Sequence, residues 1–208
     1  MRLLLALVSA MTLAAADVPR VVYTKIFPGS TPAYSSVSLD KNGNCEYKEA
    51  VDDDRPLKFQ LPPSQVDEIF EMAGKLDRFK RPLESGLKVA NMGIKIFRWE
   101  NGTERNEVKF NYSQDPDATL LHDWFERIVE TEQHLINLER AVRYDKLGVN
   151  KALLLLETTW DRKRLVAPQQ FLPLLDRVVK NESYLHMARE RAAALADAFR
   201  GNTPKAAP

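Results

Sequence analysis

Apolar and polar residues alternate with a period of two through the first half of this chain and repeat near 3.6 through the second. Val21, Tyr23 and Lys25 alternate with Val22, Thr24 and Ile26, which predicts a strand. The turn-rich stretch Pro28-Gly29-Ser30-Thr31-Pro32 follows, and the run Tyr34 to Leu39 then places Val37 and Leu39 on one face. Asn42-Gly43 predicts a hairpin turn, with Cys45, Tyr47 and Glu49 alternating on the return strand. Asp52-Asp53-Asp54 reads as a polar loop, and Leu57 to Leu61 as one more short strand.

The period changes at Pro62-Pro63. Val66, Ile69, Phe70, Ala73 and Leu76 recur at helical spacing, with Ser64-x-x-Asp67 as the predicted cap and Arg81-Pro82 beyond the end. A second hairpin is predicted from Ile94, Ile96 and Phe97, a turn at Asn101-Gly102, and alternating Val108, Phe110 and Tyr112. Asp115-Pro116 is a helix start signal, Asp at the cap and Pro at the first helical position. The helix it opens is expected to reach about Asp145, with the stripe Leu121, Trp124, Phe125, Ile128, Leu135, Leu138 and Val142. Gly148 breaks it. Further helices are expected over about 149–164, up to about Lys180, and over about 182–200, where Gly201 stops the last.

The expected fold class is therefore α+β: an antiparallel sheet of two hairpins with a helix, followed by a packed segment of about four helices. The expected division is a β-rich unit over 17–113, a helical segment over 114–200 packed directly on it, and a disordered tail over 201–208. Residues 1–16 read as a signal peptide. Met1-Arg2 is a charged start, Leu3 to Val8 an apolar run, and Ala14-Ala15-Ala16 a cleavage site before Asp17. The expected address is secreted or periplasmic. The apolar run is far below the roughly 20 residues that a spanning helix needs, so no integral membrane segment is expected in the mature chain.

Charge narrows the partners. Residues 17–114 carry 15 acidic and 15 basic side chains, and residues 115–208 carry 14 of each. Neither part has the positive excess of a nucleic-acid module, so no nucleic acid is expected. Cys45 stands alone, so the chain cannot form an internal disulfide, and the residue reads as a buried strand thiol.

Phe27 to Tyr34, followed by Asp40-Lys41-Asn42-Gly43 and Tyr47, resembles the opening of a small β-rich domain family of bacterial secreted proteins with no assigned activity. That family shows Gly-x-x-Pro-x-Tyr, a strand, a glycine turn and a strand with an aromatic, and Gly29, Pro32, Tyr34, Gly43 and Tyr47 fit. Where the family often has two cysteines flanking the glycine, this chain has Phe27 and Thr31. The resemblance covers residues 17–113 at most. It implies a β-rich fold and an extracytoplasmic address, and no activity.

Several constellations have two readings. Asp40, Asn42 and Asn44 sit at the first positions of a calcium loop, but Cys45 and Val51 stand where Gly and Glu are required, so a hairpin turn is expected. Glu130 with His134, and Glu182 with His186, are i,i+4 pairs. They are either exposed helix pairs, with His134 toward solvent, or metal ligands if the two helices lie side by side. Glu132 and Glu139 fall within the apolar stripe of the long helix. They are either covered by a basic neighbour or general acid–base groups in a shared cleft. Trp99 and Tyr112 belong to an aromatic cluster in the second hairpin, either core or a strip that binds a peptide or glycan. No cofactor motif is present. The sequence thus favours a non-enzymatic extracytoplasmic module that binds another envelope or secreted protein. The alternative is a hydrolase using Glu132 and Glu139.

Overall fold

The computed structural model describes residues 17–201. The signal peptide expected over 1–16, and all but the first residue of the tail expected over 201–208, lie outside the described residues. The chain folds as α+β. Six strands form one antiparallel sheet: β1 (Arg20–Ile26), β2 (Tyr34–Asp40), β3 (Asn44–Lys48), β4 (Leu57–Gln60), β5 (Ile94–Asn101) and β6 (Glu104–Phe110). Their order is β4-β3-β2-β1-β5-β6. The two predicted hairpin regions therefore join through β1, which pairs with β2 on one side and β5 on the other.

Strand alternation gives the sheet one apolar and one polar face. Val21, Tyr23, Val37, Leu39, Cys45, Tyr47, Phe97 and Trp99 are buried on the inner face. Ser36, Ser38, Arg98 and Glu107 occupy the outer face, where Arg98 holds Glu107 at 2.8 Å across β5 and β6. Both predicted turns form. Gly43 has φ +88°, and a Cβ there would stand 2.7 Å from the Leu61 carbonyl oxygen, so glycine is required. Beside it, the Asp40 carboxylate accepts from the backbone N–H of Asn42 and of Asn44, both at 2.9 Å. This satisfied turn is what the calcium-like spacing encodes.

Five helices follow the predicted pattern: α1 (Pro63–Lys75), α2 (Pro116–Tyr144), α3 (Val149–Asp161), α4 (Leu172–Val179) and α5 (His186–Phe199). The cap of α1 differs from expectation. Its first residue is Pro63, and no side chain caps it. Proline fixes φ and has no N–H to satisfy, so Ser64 is drawn inside the helix. Among the described residues, no helix is long and apolar enough to cross a membrane.

The 29-residue α2 contributes to two cores. Its first half buries Ala118, Leu121, Phe125 and Ile128 against the inner sheet face and α1. Its second half buries Leu138, Ala141 and Val142 with residues of α3, α4 and α5. The helical segment thus meets the sheet mainly through one half of one helix. Val166 and Ala167 add to the sheet core from the connection after α3.

The start of α2 is fixed from two sides. Asp115 Oδ1 accepts from the backbone N–H of Asp117 at 2.9 Å and of Ala118 at 3.2 Å, while Oδ2 meets Arg81 Nη2 at 2.5 Å. Asp115→Ala is expected to lower stability in urea denaturation by about 1–2 kcal/mol. Asp115→Asn, which keeps the cap and loses the ion pair, should recover most of that.

Candidate functional site

A polar cluster lies where the central strand meets the long helix. Tyr23 sits in mid-strand on β1 and points inward, its ring stacked on Phe125 at a centroid distance of 5.1 Å. His122 and Glu126 are one helical turn apart on α2 and so face the same strand. The Tyr23 hydroxyl donates to Glu126 Oε1 at 2.7 Å and lies 3.2 Å from His122 Nδ1. Lys25, two residues further along β1, reaches Glu126 Oε2 at 2.6 Å. Both carboxylate oxygens are thereby used.

This arrangement sets the protons. Burial raises the Tyr23 pKa, and the Glu126 charge raises it further, so the phenol keeps its hydrogen. Burial pushes Glu126 up. The hydrogen bonds from Lys25 and Tyr23, with the Lys25 charge, outweigh it and leave the acid below its usual range. Burial lowers the His122 pKa more than Glu126 raises it, which favours the neutral imidazole. Because the Tyr23 hydrogen is directed to Glu126, His122 must donate through Nδ1. Its Nε2 then carries the lone pair and has no protein partner among the described residues.

Lys95 faces Lys25 across the β1–β5 pair. Its residue is only 4% exposed. Its ammonium donates to the backbone carbonyls of Asn111 at 2.6 Å, Met92 at 3.3 Å and Gly93 at 3.5 Å. Among the described residues, no carboxylate lies within ion-pair distance of it. Burial and the nearby Lys25 charge lower its pKa. A cavity of about 280 Å3 opens beside these groups, lined by Lys25, Lys95 and His122 and walled by Met92, Phe110 and Tyr112. Glu126 neutralises Lys25, and the positive charge of Lys95 is left without a partner. A mostly apolar pocket with one cation that has no ion-pair partner is suited to an anion with an apolar body.

The residues singled out by sequence are dispersed. Tyr112 forms a wall of this cavity. Trp99 does not reach it. The residue is buried in the sheet core, edge-on to Phe70 at 5.7 Å, and donates its indole N–H to Glu104 Oε2 at 3.3 Å. Glu132 and Glu139 share no cleft. Glu132 is fully buried, with Oε1 accepting from Gln170 at 3.0 Å and Oε2 without a partner. Glu139 is half-exposed and pairs with Arg143 on its own helix at 2.7 Å. Seven residues leave the two side chains within about 20° of each other around the helix, so what separates them is what lies opposite: Gln170 over Glu132, and Arg143 with solvent at Glu139.

The two Glu–His pairs also separate. Glu130 is held by Arg164 at 2.7 Å. His134 does not face solvent as its register implied. It packs toward α3, where Nε2 lies 2.8 Å from Thr159 Oγ1. Glu182 is exposed in the turn before α5, and the exposed His186 pairs with Glu190 at 3.2 Å instead. Among the described residues, no group of three or more His, Cys, Asp or Glu is arranged to hold a metal ion. His122, Glu126, Lys25 and Lys95, which do converge, form no local motif. The signal they left in the sequence is the position of Lys25 and Lys95, in phase with the inward-facing Tyr23 and Phe97 of their strands.

Burial raises the Glu132 pKa to about 7, against a lowering by the Gln170 hydrogen bond. A raised acid favours the folded state most below the pKa it has when unfolded. That contribution is lost as pH rises through the folded value. Glu132→Gln is therefore expected to leave stability nearly unchanged at pH 4 and to raise it at pH 8, by up to about 3 kcal/mol. Urea titrations at the two pH values measure the difference.

No family model matches this chain, and no curated protein matches it.

Proposed function

We propose that this protein is an extracytoplasmic, non-enzymatic binding module, and that the cavity between β1, β5 and α2 takes a small organic monoanion with an apolar body. The observation that carries this reading is Lys95, a residue only 4% exposed that lines the cavity and has no carboxylate partner among the described residues. Burying a charge without a counter-ion costs several kcal/mol. A carboxylate entering the cavity would supply the missing charge in a low-dielectric setting, where a charge-assisted contact is strong. The apolar walls would cover the rest of the ligand.

The sequence supports the address. Its leader-like first 16 residues imply export, and the balanced charge of the remainder is compatible with an exported protein. The hydrolase alternative requires Glu132 and Glu139 in one pocket. They share none, so we do not propose it.

Calorimetric titration with benzoate and benzamide tests the proposal, because the two differ in charge and little in shape. Benzoate is expected to bind at least about tenfold more tightly, a difference of 1.4 kcal/mol or more. Thr119 is exposed at the same cavity, so Thr119→Trp should fill the entrance, leave the fold intact and abolish binding. Equal affinity for acid and amide, or binding that survives Thr119→Trp, would refute the reading.

A further inference from the structure

The cavity is small for a ligand site, about 280 Å3 where pockets that enclose a ligand run from roughly 300 to 1,000 Å3. Its surroundings show where a longer molecule would continue. Two of its walls are themselves open to solvent, Met92 at 42% and Tyr112 at 37%. The segment that leads into Met92 carries two more exposed apolar side chains, Leu87 at 51% and Val89 at 40%. Single exposed apolar residues are ordinary. Here Met92 and Tyr112 line the cavity, and Leu87 and Val89 lie on the segment that leads into it, which gathers the exposed apolar side chains near its opening.

The rim is tied to the cavity wall. Ser85 donates its backbone N–H to the Tyr112 carbonyl at 2.8 Å. Asn111, next in sequence to Tyr112, donates its side-chain amide to the Ala90 carbonyl at 3.0 Å and accepts from the Met92 N–H at 2.8 Å. The Leu87–Met92 segment therefore runs past the same two residues that help to line the cavity. The charged groups nearby set the orientation. Glu126 is committed to Tyr23 and Lys25, and Glu84 accepts from the backbone N–H of Asn111 at 2.5 Å. Lys88, on the rim segment, and Lys95 both lack an ion-pair partner among the described residues; Lys88 is exposed to water, and Lys95 is the one that lines the cavity.

We infer that the ligand is a single-chain carboxylate amphiphile, its head within the cavity beside Lys95 and its chain lying outward across Met92, Tyr112, Leu87 and Val89. This inference rests on the binding reading above and adds the chemical class. A head-out arrangement would leave the cation buried and unpaired. A ligand without a chain would leave the rim bare.

Calorimetric titration of the purified protein with hexanoate, decanoate and decyltrimethylammonium, all below micelle concentration, tests it. Decanoate is expected to bind at least about tenfold more tightly than hexanoate, because its added methylenes leave water on the rim. Decyltrimethylammonium should not compete with it. The double variant Leu87→Ser, Val89→Ser changes only exposed side chains. It should weaken decanoate several-fold toward hexanoate, since Met92 and Tyr112 remain, and leave hexanoate unchanged. If both acids bind alike, or the double variant binds decanoate as the parent does, the amphiphile inference is wrong while the cavity reading stands. If decyltrimethylammonium binds as well as decanoate, the head-group assignment is overturned. If neither acid binds, the cavity reading itself falls.

Discussion

Glu126 is the central polar contact between the long helix and the sheet, and Gln133 on the same helix, which donates to the Tyr47 hydroxyl at 2.7 Å, adds a second. An apolar stripe alone lets a helix slide and rotate over a sheet with little penalty. A carboxylate that must receive Tyr23 on one oxygen and Lys25 on the other permits neither motion. Loss of either partner would leave an oxygen of the half-buried Glu126 carboxylate without its donor, at a cost in stability. The position of α2 along β1 follows, and with it the gap between the first turns of α2 and the ends of β5 and β6. The cavity is that gap. Its base is fixed by the same residues that hold the helix in place, so the site and the fold share one set of contacts.

The second half of α2 faces a different problem. It leaves the sheet and enters a helical core built by α3, α4 and α5. Glu132 lies at the passage between the two, fully buried, and its charge is felt by Cys45 and Tyr47 on the sheet. An apolar residue would pack there without a pH-dependent cost. The single donor from Gln170, in the turn before α4, links the two cores by a polar contact. The core thus tolerates this acid best when it is protonated, which is the opposite of Glu126, whose partners favour the charge.

Much of the fold was legible because local chemistry and packing agree. Asn42-Gly43 and Asn101-Gly102 specify tight turns, Asp115-Pro116 specifies a helix start, and the change of period near residue 115 marks the passage from sheet to helices. The strand order was not legible. β1 joins β5 across about 70 residues of chain, and no local signal encodes that pairing. The site was hidden for the same reason: Tyr23 and Lys25 meet their α2 partners at separations of 99 to 103 residues. Ile94 and Ile96 add a false cue. They suggest an inward face, yet Phe97 and Trp99 are the larger apolar residues and take the core, which draws Lys95 inward with them. The acids that stood out by helical register gave no site, because register reports burial and says nothing of what lies opposite.

Lys95 can also be read as a purely architectural residue, since its ammonium bridges three carbonyls beside the cavity. That role does not require a charge. A neutral amide side chain could donate to two of the three oxygens without the desolvation cost of a cation, and water could serve the third. What the ammonium adds is a positive potential that Glu126 and Glu84 offset only at a distance, and less than burial and Lys25 oppose it. Lys25 across the strand pair makes the location less favourable for it, not more. A carbonyl shell orients the cation and shields it partly, but neutralises none of its charge. The free protein therefore holds at the cavity a cation with no ion-pair partner among the described residues, and that is the imbalance the proposed ligand would relieve.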